Sequence, residues 1–413
     1  MEDIDFRASA RTVLEETDRL VRRYGPRLAG SEACRSVARE LAARLEGFCD
    51  RVRLEEFRAH PASFYAYTKI LPLVYVLGLV SLLLNRGFYL FPALGIAGGI
   101  ALMVSQFAVY GRLGDGLFPA RTCVNVEGVV EPEGKAEYEL LLSGHHDSAP
   151  VARIYSGPFQ KFYAAAIFAP YPFFLLELGL LAARAAGWIR AVPAGWSAAL
   201  LAGLPFAAAY FLMIDTRRGS PGAGDNLVSS LLCVEIAREL AARKGDLLRR
   251  TRIRVLSFDA EEAGLRGSAA YMRSRAGEIR DRAAWMLNFD SLYDAAHLHV
   301  LDRDVNGFLR LSREVAQDAV ECLRADGYKA RVFPMVFGGG GTDAAEAARA
   351  GIEAATVIAM PTAVVREGLV YHTPRDTPDA VGVDAVEACL RLTARYAGRI
   401  ESGTSRRRKG GVR

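Results

Sequence analysis

Four stretches of the chain lack the regular polar interruptions that mark a helix lying on a protein surface. Residues 70–85 and 87–111 contain no charged side chain. An α-helix rises about 1.5 Å per residue and needs roughly 20 residues to cross about 30 Å of hydrocarbon. Residues 64–84 and 87–110 therefore predict two membrane-spanning helices, turned at Asn85-Arg86-Gly87. A second hairpin is predicted over residues 162–183 and 196–214, with Arg184, Trp188 and Arg190 in its loop. Glu177 in that hairpin either reaches along its own helix to Arg184 or points at a neighbouring helix. Phe64, Tyr65, Tyr67, Tyr110, Phe162, Tyr163, Trp188 and Trp196 stand at the segment ends, where aromatic side chains favour the membrane–water boundary. Gly95 and Gly99 form a GxxxG, a spacing that lets another helix come close.

Two hairpins return the chain to one side, so the rest of the protein shares a compartment. Arg51, Arg53, Arg58, Lys69, Arg112, Arg121, Arg153, Lys161, Arg217 and Arg218 lie on that side, against Arg86, Arg184 and Arg190 in the hairpin loops. The excess of basic residues places the large part in the cytoplasm and makes the chain a multi-pass protein of the cell membrane.

Outside the hairpins the periodicity changes repeatedly between helix and strand. Helical spacing covers residues 11–48, 229–244, 307–326, 344–350 and 384–400, and strand patterns cover 52–57, 123–130, 138–143, 252–258 and 285–289. This alternation predicts an α/β fold with a mostly parallel mixed sheet flanked by helices, interrupted by two transmembrane helical hairpins. The division is one large domain in three pieces (1–63, 111–161, 215–401), the hairpins at 64–110 and 162–214, and a basic, disordered tail at 402–413.

Composition narrows the partners. Lys plus Arg exceed Asp plus Glu by 52 to 47, a net charge of +5. Arg406, Arg407, Arg408, Lys409 and Arg413 account for that excess, so the body of the chain lacks the basic face that nucleic-acid binding requires. The six cysteines form no CxxC pair, which excludes a zinc ribbon and fits a reducing compartment. The acidic residues Glu2, Asp3 and Asp5, with no apolar run behind them, predict no cleavable secretory signal.

In open α/β sheets, sites form beyond the carboxyl ends of the strands. Here those ends carry Gly144-His145-His146-Asp147-Ser148, Asp259-Ala260-Glu261-Glu262 and Asp290, while Gly224-Asp225-Asn226 precedes a helix and Tyr371-His372-Thr373-Pro374 follows a turn-rich stretch. His145 and Asp147 are two apart and can project together, with Asp147 orienting the imidazole. Adjacent glutamates at a strand end repel each other, which is tolerable when one binds a cation and the other takes a proton from a metal-bound water, while on a solvated helix the pair would be unremarkable. Two histidines with three carboxylates and no thiolate suit a pair of divalent ions such as zinc, cobalt or manganese. His297 and His299 also alternate as a ligand pair would, but read as an exposed strand face.

Gly25-Pro-Arg-Leu-Ala-Gly-Ser-Glu32, Gly144-His-His-Asp-Ser148, Gly224-Asp-Asn226, Glu261-Glu-Ala-Gly-Leu-Arg-Gly-Ser268, Asn288-Phe-Asp290 and Tyr371-His-Thr-Pro-Arg-Asp-Thr377 occur in the order found in the M28 family of co-catalytic zinc peptidases, which the chain resembles over about 300 residues. The resemblance implies two zinc ions bridged by Asp225, with His145 and Asp290 completing one site and Glu262 and His372 the other. It further implies Glu261 as general base, Tyr371 as a group steadying the oxyanion, and a peptide cleaved at its N-terminal bond beside the lipid bilayer. The second hairpin separates His145 from Asp225, which the family normally keeps close, and this puts the site near the membrane. Gly338-Gly-Gly-Gly-Thr-Asp343 replaces the family's usual Ser-Asp-His and looks more like the related M42 aminopeptidases. Two other readings are a single-zinc glutaminyl cyclase, disfavoured by the complete ligand set, and a non-enzymatic membrane protein whose soluble domain binds a ligand or partner.

Overall fold

The computed structural model describes residues 4–85, 87–155, 157–361 and 369–406, without the side chains of 157–159 and 163–164. Nine strands form one sheet: β1 (Arg51–Ala59), β2 (Arg121–Val130), β3 (Tyr138–His145), β6 (Thr251–Phe258), β7 (Ala283–Leu292), β8 (Leu298–Asp304), β9 (Leu309–Arg310), β10 (Ala330–Pro334) and β11 (Glu353–Ala359). Their order is β1-β2-β6-β3-β7-β11-β8-β10, with β9 on β8. The central strands β6, β3, β7 and β11 run parallel, and antiparallel pairs extend the sheet to either side. The α/β sandwich expected from the alternating pattern is the fold observed.

Alternation along each central strand fills both faces. Leu140 and Leu142 of β3 join the core built with the helices Phe6–Tyr24, Glu32–Leu45, Val228–Ala241, Arg313–Ala325 and Val383–Glu401. Leu141 joins Tyr271, Met272 and Ile279 of Arg266–Arg280 on the opposite face. The helical stretch read over 11–48 is two helices, broken at Gly25 (φ 62°) and restarted by Ser31, whose hydroxyl accepts the Cys34 amide at 3.1 Å. His299 is buried, contrary to its reading as exposed, because β8 lies between β11 and β10 and its ring meets Phe333 at 5.2 Å. The tail expected to be disordered begins docked. The Arg406 amide donates to Asp318 at 2.7 Å, and the Trp285 indole donates to the Arg406 carbonyl at 3.2 Å. Residues 407–413 of that tail, and Arg86 of the charge count, lie outside the described residues.

Among the described residues, four helices are long and apolar enough to cross a membrane: Tyr67–Leu84, Leu90–Ala108, Ala165–Ala185 and Ala194–Leu212. They pack around Tyr75, Phe174, Leu181 and Tyr210 and leave Leu73, Leu84, Leu90, Phe91 and Leu94 exposed on the outside. The GxxxG serves the first hairpin itself. A Cβ on Gly95 would stand 2.7 Å from Val74, and one on Gly99 2.7 Å from Leu71. Glu177 takes the second of its two expected courses, toward the neighbouring helix, where a Cβ on Gly78 would meet its carboxylate at 2.7 Å. Arg184 bonds instead to the Ile189 carbonyl and the Tyr89 hydroxyl, at 2.6 and 2.7 Å. The second hairpin leaves and re-enters the domain through a two-stranded stem, β4 (Pro150–Ala152) against β5 (Ile214–Gly219).

Candidate metal centre

Parallel pairing brings the carboxyl ends of β6, β3 and β7 side by side, with His145 in register with Phe258. This places His145, the turn bearing Glu261 and Glu262, and Asp290 along one edge. Asp225 approaches from the stem of the second hairpin, on the single turn Ala223–Leu227 that leads into Val228–Ala241. Glycine is required at 224, because a Cβ there would lie 2.2 Å from the Tyr293 ring. A cis peptide joins Asp225 to Asn226. His372 sits in a turn with φ 54°, its carbonyl accepting the Ala152 amide at 2.8 Å and its ring stacked on Tyr371 at 3.7 Å.

The five expected ligands converge. One oxygen of Asp225 faces Nε2 of His145 at 3.3 Å, and the other faces Nε2 of His372 at 3.0 Å. Glu262 lies 3.1 Å from the same His372 nitrogen. His145, Glu261 and Asp290 form an overlapping group whose potential ligand atoms all lie within 4.8 Å of one another, as do those of His145, Asp225 and Glu262. Glu261, expected as the base, comes to 3.7 Å from His145 Nε2. Atoms bound to one tetrahedral zinc at about 2.0–2.1 Å stand roughly 3.3 Å apart, so the separations around Asp225 are those of donors sharing ions. The donors also lack other partners. Asp225 Oδ2, Glu262 Oε1 and His372 Nε2 are buried without a hydrogen bond among the described residues. Buried polar atoms are rarely left so, and divalent cations would satisfy all three.

The charge balance gives the same answer. Burial, then the Asp225 charge, pushes Asp290 up to about 7. Burial pushes Glu262 up to about 7 despite His372, and drives Glu261 well above the carboxylate range despite His145. Burial opposes ionisation of Asp225 as well, but the facing imidazoles of His145 and His372 hold it below its ordinary value. His372 is carried up to about 10, since Glu262 and Asp225 outweigh the burial that would lower it. Acids crowded into a dry pocket with two imidazoles for relief form a site short of positive charge.

Neighbouring groups hold the donors in place. Asp147 lies 3.3 Å from Nδ1 of His145, the partner expected for that ring. Asp376 accepts the amides of Gly224 and Asp225 at 2.8 and 3.3 Å. Arg27, fully buried, donates to the carbonyls of His146, Pro221 and Gly222 at 2.8, 2.8 and 2.7 Å, tying the loop of His145 to the loop of Asp225. Asp343 is buried nearby and neither of its oxygens is hydrogen-bonded among the described residues. Arg27, Asp343 and Asp376 all stood inside the quoted sequence strings, but no spacing rule assigns them these contacts. Cys34, His146 and Asp259 form a further buried group. Its carboxylate is already engaged by the amides of Gly30 and Val124, at 3.1 and 3.0 Å, as a structural tie.

The histidines and carboxylates gather at the carboxyl edge of a sandwiched, centrally parallel sheet, as a candidate metal centre on an α/β fold. The profile of Peptidase family M28 matches residues 214–397, which include Asp225, Glu261, Glu262, Asp290 and His372. The fold is shared with a zinc aminopeptidase from Bacillus subtilis at 17% identity and TM-score 0.55, covering 95% of each chain. It is shared equally with an aminopeptidase from Aneurinibacillus sp. strain AM-1 at 15% identity and TM-score 0.55, covering 96% of each chain. A glutaminyl cyclase from Bacteroides thetaiotaomicron matches at 12% identity and TM-score 0.55, over 94% of this chain and 97% of that one. No curated protein sequence matches the chain.

Proposed function

We propose that the protein is a membrane-embedded dinuclear zinc aminopeptidase with its catalytic domain in the cytoplasm. The observation that carries the reading is the placement of Asp225, with one oxygen toward His145 and the other toward His372. His145, Asp225 and Asp290 would hold one ion, and Asp225, Glu262 and His372 the other. When bound, the ions supply Lewis acidity and make water acidic enough to attack at neutral pH. Glu261 binds no ion in this reading. Its buried carboxylate accepts a proton from the attacking water and returns it to the amine nitrogen as the peptide C–N bond breaks. Asp147 keeps the His145 ring and the Glu261-Glu262 turn in position, and Tyr371, stacked beside His372, steadies the oxyanion.

Glu261→Gln should lower turnover of aminoacyl and dipeptide substrates by roughly 10²–10⁴-fold while leaving zinc content unchanged. Undiminished turnover would refute the assignment. The shared fold with glutaminyl cyclases supports a second reading, cyclisation of an N-terminal glutamine. The presence of donors for both ions favours hydrolysis, and the product formed from a glutaminyl peptide separates the two. Orientation rests on the basic residues flanking the hairpins. A cysteine at Trp188, exposed in the second hairpin loop, should react with an impermeant reagent in intact cells, and its protection would reverse the topology.

A further inference from the structure

After the second hairpin, the large apolar side chains exposed among the described residues are Phe308, Val336 and Phe337, at 65%, 59% and 51%. They are adjacent. The rings of Phe308 and Phe337 lie 6.1 Å apart, and Phe337 lies 6.2 Å from Phe168. Phe168 belongs to the apolar segment Ala165–Ala185, near the end at which it leaves the domain. The loops carrying the patch are also fixed to the end of the first hairpin. Asn306 Nδ2 donates to the Phe107 carbonyl at 2.7 Å, its Oδ1 accepts the amides of Gly338 and Gly340 at 3.0 and 3.1 Å, and the Tyr110 ring lies against Gly341. Phe107 lies in the segment Leu90–Ala108. Two apolar segments thus set the height of the patch at their domain-side ends.

Exposed apolar clusters on soluble surfaces are small and mark contact sites, and aromatic side chains with basic neighbours suit the boundary between headgroups and acyl chains. The basic neighbours are present. Arg303 and Arg310, exposed and paired across β8 and β9, flank Phe308.

We propose that Phe308, Val336 and Phe337 insert into the headgroup–acyl boundary of the bilayer crossed by the four helices, with Arg303 and Arg310 against anionic headgroups. The proposal rests on the membrane-spanning reading of the hairpins and adds a lipid contact made by the catalytic domain itself. Through residues 338–343 this contact is continuous with the buried Asp343 beside the metal centre.

The test is fluorescence of the full chain in vesicles of phosphatidylcholine and phosphatidylglycerol, with and without bromine near the carbonyl end of the acyl chains. In a Trp188→Phe/Trp196→Phe/Phe337→Trp variant, Trp285 is buried in the sheet and serves as the internal reference. The expected result is a blue-shifted signal from the Phe337→Trp substitution that brominated lipid reduces roughly twofold. The native protein, with Trp196 in the fourth helix, reports separately on the hairpins. Quenching of the native protein without quenching of the variant overturns the proposal and leaves the hairpin reading standing. Loss of quenching in both removes the two together. A signal insensitive to bromine that shifts red on dilution would assign the patch to a second copy of the chain and also overturn the proposal.

Discussion

The carboxylate of Asp147 accepts the main-chain amide of Glu261 at 3.2 Å, and its other oxygen accepts the amide of Glu262 at 3.2 Å. The same side chain lies 3.3 Å from Nδ1 of His145. One acid therefore sets the direction of three groups of the centre. Asp147→Asn would point an amide N–H at one of those N–H donors. Metal affinity and turnover should each fall by about 10–100-fold, measured by chelator competition and by hydrolysis at saturating zinc. Unchanged values would show that Asp147 has no positioning role.

Arg254 is fully buried in β6, bonded to Glu139 at 2.5 Å and to Glu127 at 2.8 Å. Replacing it by Ala would leave two buried carboxylates without their cation, which costs about 3–5 kcal/mol. Arg254→Ala should fail to accumulate or show a strongly lowered Tm. Arg254→Met with Glu139→Gln should recover part of the loss. A near-native Tm for the Ala variant would mean that Arg252 and Arg282, within 4 Å of Glu139, already balance the charge.

Asp304 joins the Gly-rich loop to the sheet, accepting the Thr342 amide at 3.0 Å and its hydroxyl at 2.6 Å. Burial pushes its carboxyl up to about 6, against the hydrogen bonds from Thr342 and Val305. A raised folded pKa means that the native state holds its proton more tightly than the unfolded chain. The stabilisation is thus complete below the ordinary carboxylate value and is lost as pH rises through about 6. Between pH 4 and 7 the Tm advantage of the native protein over Asp304→Asn should shrink with increasing pH. An advantage that grows over that interval would contradict the shift.

Much of this architecture could be read from side-chain order, for stated reasons. Leu140, Leu141 and Leu142 alternate between two helical layers, which is why a short apolar run between acidic and histidine strings identified a central strand. The hairpins were visible because helices long and apolar enough to cross a membrane carry no regular polar face. Strand ends marked His145, Glu261, Glu262 and Asp290, whereas Asp225, ahead of a helix, and His372, in a turn, were joined to them only by the resemblance to the M28 peptidases. What stayed hidden depends on convergence in space. Nothing local distinguishes Asp376, which fixes the Asp225 turn, from a surface acid. Arg254 alternates with Arg252 as a solvent-facing residue would, yet it is buried among three glutamates. His299 looked exposed because the sequence does not reveal that β8 has a neighbour on both sides.

In the proposed centre Asp225 stands between two ions, an arrangement that metal stoichiometry reads out. The purified protein in detergent, reconstituted with zinc and freed of excess metal, should bind two ions per chain, and Asp225→Ala should retain fewer than one. A single ion on the native protein, or two ions undisturbed by the substitution, would contradict the account.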